Sequence, residues 1–104
     1  MIPLEKVKDI IARHDNLEKD LSAGKVDPKL FVQKSKEYSS LGNIISLARE
    51  YVKFDSEKSD LENIINDKEN DDEMTEMAEK DLSHLKIKKI DYENKLKIFL
   101  LPKD

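Results

Sequence analysis

Apolar residues recur along most of the chain at steps of three or four, the spacing that lines one face of an α-helix. The first run is Leu4, Val7, Ile11, His14, Leu17 and Leu21. Pro3 suits a first helical turn and Gly24 can adopt the left-handed conformation that closes a helix, so the pattern predicts a helix over residues 3–22. Asp27-Pro28 then reads as an N-cap followed by proline at the first helical position, where its missing N–H leaves no bond unmade. A second stripe follows at Phe31, Tyr38, Leu41, Ile44, Ile45, Ala48, Tyr51 and Val52. It fades through Asp55-Ser56-Glu57-Lys58-Ser59-Asp60 and returns at Leu61, Ile64 and Ile65, which predicts a helix over 27–66 kinked near 54–57. Gly42 lies in the strong part of this stripe, where glycine costs about 1 kcal/mol relative to alanine and reflects close packing or no special role.

Asn66 to Asn70 is polar and predicts a turn. Asn70 and Glu73 fit a variant of the capping box, the Asn side chain capping N3 while the Glu reaches back. A third helix is expected over 71–100, because Ala78, Leu82, Leu85, Lys89, Tyr92, Leu96 and Phe99 step by four and three in alternation. That is the spacing of an antiparallel hairpin or coiled-coil seam. Pro102 ends it. A helix of about thirty residues is on the order of 40 Å long, too long for a compact globule of this mass. The expected fold is all-α, an elongated antiparallel three-helix bundle with a long coiled-coil-like hairpin. No solenoid repeat or low-complexity tract divides the chain, so residues 1–104 read as a single helical domain.

Composition agrees with long amphipathic helices: 40% of residues are charged against 38% hydrophobic, with two glycines and no tryptophan. A chain of this size buries only roughly two-thirds of its unfolded surface, so the core must be modest. No window is apolar enough to span a bilayer and the amino terminus has no signal segment, so no membrane partner and a cytoplasmic location are expected. The absence of cysteine rules out disulfides and thiolate zinc sites. A net charge of −4 weighs against a chain that grips nucleic acid by itself. The charge is uneven, however: residues 67–81 are mostly acidic, while Lys86, Lys88, Lys89, Lys95 and Lys97 make the end of the same helix basic. The helix macrodipole favours this order, and a solvated, helix-stabilising face explains it better than an RNA-facing edge.

Few residues invite chemistry. His14 lies on the first stripe and His84 beside the third, and neither has the nucleophile, acid or second ligand that catalysis or metal binding needs. Asp67, Glu69, Asp71 and Glu73 alternate like the start of a calcium loop, but the required glycine and glutamate positions hold Asp72 and Ala78. No cofactor is expected. Met74 and Met77 can form an adaptable recognition face or simply fill a bundle end. Phe99, Leu100 and Leu101 are three consecutive apolar residues, more than one face of a hairpin can bury.

Two segments carry a family resemblance: Asp71-Asp72-Glu73-Met74-Thr75-Glu76-Met77-Ala78 and the ending Phe99-Leu100-Leu101-Pro102-Lys103-Asp104. Together they resemble the amino-terminal domain of bacterial peptide chain release factors of the first type, which read UAA and UAG and trigger release of the nascent chain. The family's peptide-releasing Gly-Gly-Gln motif and codon-reading Pro-x-Thr tripeptide are missing, since the glycines are Gly24 and Gly42 and the prolines open Pro3-Leu4-Glu5, Pro28-Lys29-Leu30 and Pro102-Lys103-Asp104. The resemblance thus implies translation termination through a helical docking domain that is not itself an enzyme. It implies as partners the ribosome, at the stalk-base protein and rRNA of the large subunit, together with the GTPase release factor, the methyltransferase that modifies the glutamine of the full factor, and the rest of the factor beyond Asp104. The acidic turn, Asp67, Glu69, Asp71, Asp72 and Glu73, is the candidate ribosome or partner contact, because it suits a basic protein better than RNA. Phe99, Leu100 and Leu101 are the candidate interdomain contact. From a different class, the chain can be read as an autonomous coiled-coil interaction or chaperone-like module. A reading frame continuing past Asp104 into a Gly-Gly-Gln domain separates the two.

Overall fold

The computed structural model describes residues 2–101, which form helices and no strand: α1 (Leu4–Ala23), α2 (Pro28–Gly42), α3 (Ile45–Tyr51), α4 (Phe54–Asn66) and α5 (Asp72–Leu100). The all-α class is as the periodicity implied. α1 closes where Gly24 turns left-handed at φ 67°, its N–H donating to the Leu21 carbonyl. Asp27 caps α2, with Oδ1 accepting from the Lys29 N–H at 2.9 Å and Pro28 opening the helix.

The single helix expected over 27–66, kinked near 54–57, is corrected to three segments with breaks at 43–44 and 52–53. Both breaks have the backbone of a type I turn: Asn43 and Ile44 lie at φ −70°, ψ −21° and φ −117°, ψ −8°, and Val52 and Lys53 at φ −69°, ψ −14° and φ −89°, ψ −12°. At each, one N–H reaches back three residues, Ile44 to Leu41 at 3.0 Å and Lys53 to Glu50 at 3.1 Å. The first follows Gly42, where an added Cβ would meet no atom within 4 Å. Close packing is therefore not its role; poor helix propensity where α2 ends is the remaining account. Buried Leu41, Ile44, Ala48, Tyr51 and Phe54 continue at steps of three and four across both breaks. The periodicity survives the interruptions, which is why it does not reveal them.

Two antiparallel pairs result. α1 and α2 are joined by the short 24–27 connection, and Arg13 meets Glu37 at 2.6 Å, His14 stacks on Tyr38 at 4.9 Å and Asp20 meets Lys34 at 3.2 Å. These exposed ion pairs fix register more than they add stability. α4 and α5 pair across the 67–71 turn, with Phe54 5.4 Å from Tyr92 and Asp55 3.5 Å from Lys89. α3 lies between the pairs, packing on both α1 and α5. One core joins Ile2, Val7, Ile10 and Leu17 to the α2–α4 stripe and to Leu96 of α5, with Leu85, Tyr92 and Phe99 packed against it. Ile2, Ile10 and Phe54 were not on the expected stripes, whereas Phe31, which was, is half exposed. The seam of α5 matches its pattern, Ala78 and Leu96 being buried and Leu82, Leu85, Lys89, Tyr92 and Phe99 partly so.

The far part of α4 and the first half of α5 project from this core as a two-helix arm. The described chain measures 61 × 32 × 18 Å with a radius of gyration of 18.6 Å, against about 13 Å for a compact domain of this length. At the base of the arm Tyr51, Phe54 and Tyr92 form an aromatic node: Phe54 meets the Tyr51 ring edge-on at 5.8 Å, Tyr51 Oη donates to Glu93 Oε1 at 2.9 Å, and Tyr92 Oη donates to Glu50.

Leu96 is fully buried, so Leu96→Ala should destabilise the domain by about 2–5 kcal/mol in urea melts, whereas exposed Lys86→Ala should change it by about 0.5 kcal/mol or less. The node also predicts a pH dependence. Burial, and then the bond to the Glu93 carboxylate, push the Tyr51 hydroxyl from 10.0 up to about 12. The folded state favours neutral tyrosine, so this stabilisation is complete below pH 10 and lost as pH rises toward about 12. Thermal melts across this range should fall for the native chain and flatten for Tyr51→Phe. A smaller slope should remain from Tyr92, raised first by its bond to Glu50.

Candidate functional site

The acidic turn sits at the tip of the arm, and the local structure divides its carboxylates into two kinds. Asp67 and Asp71 are committed to the backbone. Asp67 Oδ1 accepts from the Glu69 N–H at 2.9 Å as α4 ends, and Asp71 Oδ1 accepts from the Met74 N–H at 2.8 Å as α5 begins. The expected capping box of Asn70 and Glu73 is corrected: Asp71 is the cap, while Asn70 Nδ2 donates to the Ile64 carbonyl at 3.0 Å and binds the turn to the last turn of α4. Glu69, Asp72 and Glu73 are exposed, and among the described residues their carboxylates enter no ion pair or hydrogen bond. Five carboxylates against Lys68 make the tip strongly negative, and the amino-terminal dipole of α5 favours that charge.

At the other end of α5 the structure separates Phe99 from its neighbours. Phe99 packs against the domain's own core, while Leu101 is 62% exposed and Leu100 is also exposed. Ile87, Ile90 and Ile98 are exposed too, on the face of α5 opposite Leu85 and Leu96. α5 therefore has an apolar face that the described residues do not cover, ending beside Leu101. Pro102, Lys103 and Asp104 lie outside the described residues.

The basic stretch of α5 is largely engaged. Lys89 meets Asp55 at 3.5 Å, Lys88 meets Glu50 at 3.7 Å, Lys95 meets Asp91 at 3.1 Å, and Lys88 and Lys95 both stand over the Tyr92 ring. This leaves little cation excess for phosphate. Among the described residues the one group of metal-ligating type is His14, Asp15 and Glu18 on α1. There, Asp15 Oδ1 is bound by His14 Nδ1 at 3.0 Å and by Arg49 of α3 at 2.6 Å, and these bonds, His14 first, hold the Asp15 carboxyl below its ordinary range. The arrangement ties α1 to α3. His84 lies in an open groove between α4 and α5 with Glu57, Asp60 and Asp81. The pattern had placed Glu57 and Asp60 in a weak stretch of helix; their spacing of three, facing Asp81 and His84 at the same spacing, was the signal for that groove.

Loss of the cap should be visible: Asp71→Ala should lower stability by about 1 kcal/mol, within a range of about 0.5–2. Glu69→Ala should leave denaturant melts within about 0.5 kcal/mol.

The comparisons with known proteins agree with the resemblance carried by residues 71–78 and 99–104. A family model described as the PCRF domain matches residues 10–104. Proteins named peptide chain release factor 1 are similar along the chain: that of Pelagibacter ubique is 53% identical over 104 residues, covering 100% of this chain and 29% of the relative. That of Helicobacter pylori is 40% identical, covering 96% of this chain and 28% of the relative, and that of Rhizobium rhizogenes is 35% identical, covering 99% and 28%. The chain thus spans little more than a quarter of the length of these curated relatives. No solved structure matches it. Matched by the family model over nearly its whole length, the chain belongs to the PCRF-domain family of peptide chain release factors.

Proposed function

We propose that this chain is a non-catalytic docking domain for translation termination, which brings a stop-codon-dependent release factor to the factor-binding centre of the large ribosomal subunit. Family membership supports the process, and the relatives are named as release factors. The observation that carries the docking role is the projection of the arm. α5 alone rises about 43 Å at 1.5 Å per residue, with Asp72 and Glu73 at one end beside Glu69 of the turn, and the exposed Ile98 and Leu100 at the other beside Leu101. A stiff element of this kind fixes the distance between a contact point and whatever follows the helix, so binding energy is used for positioning.

In this reading the tip meets the stalk-base protein, whose basic side chains suit its carboxylates, and stands beside the rRNA without gripping it. The rest of the factor takes the apolar end of α5; Phe99 supports that contact from within the domain, and Leu100 and Leu101 make it. The long α4–α5 pair serves as the coiled-coil-like hairpin. The GTPase release factor and the modifying methyltransferase act on the assembled factor, in the cytoplasm, and no helix among the described residues is long and apolar enough to cross a membrane. An autonomous interaction module, the other reading of the pattern, has no separate observation in its favour.

The tip assigns the variants. Charge reversal at Glu69, Asp72 and Glu73, with the capping Asp71 left intact, should weaken binding to isolated stalk-base protein with its rRNA about tenfold or more at low salt, and the difference should shrink as salt rises. Titrations of native and triply reversed chain across a salt series measure it. Unchanged affinity at low salt would move the contact away from the tip.

A further inference from the structure

One side of the arm carries a shallow groove that neither the tip nor the end of α5 uses. Two adjoining hollows of about 450 and 240 Å³ share Leu61 and Asp81, so they form one trough along the α4–α5 pair. Its apolar surface is supplied by Leu61, Ile64 and Leu85. Toward the tip Met74 and Met77 stand at its edge, 49% and 62% exposed. Toward the base its rim carries Glu57, Asp60 and Asp81. Among the described residues none of these three carboxylates has an ion-pair partner, and the nearby Lys88 turns to Glu50 instead.

We propose that this groove docks a basic amphipathic helix of a protein partner, its apolar face on Leu61, Ile64 and Leu85 and its arginines or lysines against Glu57, Asp60 and Asp81. The chemistry of the three zones selects that occupant. From Met74 to Lys88 the α5 backbone rises about 21 Å, the length of roughly four helical turns, and an apolar trough between two helices is the surface into which a third helix lays its i, i+3, i+4, i+7 face. Exposed methionines at one end adapt to side chains of different shape. Carboxylates beside an apolar floor fit long cationic residues, whose methylene stems lie on the floor while the charged heads reach the rim. The same rim repels phosphate, which separates this surface from an RNA site. The proposal does not rest on the stalk-base reading, because the groove runs along the side of the arm and the tip carboxylates lie beyond it.

Two synthetic helical peptides of about sixteen residues with the same leucine spacing, one flanked by arginines and one by glutamates, test this against the methyl-labelled chain by NMR. The arginine peptide should bind and shift the methyls of Leu61, Ile64, Met74 and Met77, and the glutamate peptide should not. Asp81→Lys should weaken binding about tenfold or more, while Glu79→Lys, the same charge change on the opposite face of α5, should leave it within about twofold. Met77→Glu, at an exposed position that does not disturb the fold, should also weaken it. No binding of the arginine peptide, or equal binding of both peptides, overturns the proposal. So do shifts confined to residues 67–73 or to Ile87, Ile90 and Ile98, and so do groove shifts that grow with chain concentration alone, which would make a second copy the occupant.

Discussion

A helix of 29 residues cannot be covered by one short neighbour, and α5 is covered in two stretches by partners of seven and thirteen residues. α3 lies on its carboxyl-terminal half and α4 on its amino-terminal half. The change of partner occurs at Phe54, the first residue of α4, which is buried between Tyr51 of α3 and Tyr92 of α5. The rest of the architecture depends on this hand-over. The turn at 52–53 lets one apolar stripe end on the body and begin again on the arm, and the aromatic rings fill the volume where three helices converge.

Stability is consequently uneven along the molecule. The body buries a contiguous cluster that includes Val7, Leu17 and Leu96 without measurable exposure, each such side chain contributing about 1.5–3 kcal/mol of burial. Beyond Phe54 the arm buries only Ala78, and Leu61, Ile64, Ile65, Leu82 and Leu85 are half covered. Its order therefore depends on helix propensity, on the Asp71 cap and on the turn tied by Asp67 and Asn70 more than on a core. Local opening costs least in such a segment. The continuous α5 helix still sets the length of the arm, so a thin core lowers its local stability without changing the distance it spans while folded.

The charge pattern of α5 takes on a different meaning once its neighbours are present. An acidic start and a basic end complement the helix dipole, but Glu50, Asp55 and Asp91 answer three of the lysines. The acidic residues at the tip and along the groove have no such answers among the described residues. Electrostatics that look balanced over the whole chain thus become one-sided on the arm, where they favour basic protein surfaces over nucleic acid.

Periodicity, caps and breakers were local enough to read from the chain. They determined the all-α class, both ends of α1, the Asp27-Pro28 start of α2, the seam of α5 and the turn after Asn66, because each follows from a few consecutive residues and the helical repeat. The segments 71–78 and 99–104 likewise carried the family. What only the tertiary structure decided is where the chain bends and which charges remain available. The breaks at 43–44 and 52–53 keep the apolar repeat in phase, so no pattern of spacing could expose them; they exist because α3 must face α1 and α5 at once. Phe99 reads like Leu100 and Leu101 until packing draws it into the core. Asp71 reads like Asp72 until the first free N–H groups of α5 claim it. Phe99 parts from its neighbours because burial is set by residues distant in the chain, whereas Asp71 parts from Asp72 through a bond only three residues long, decided by where α5 begins.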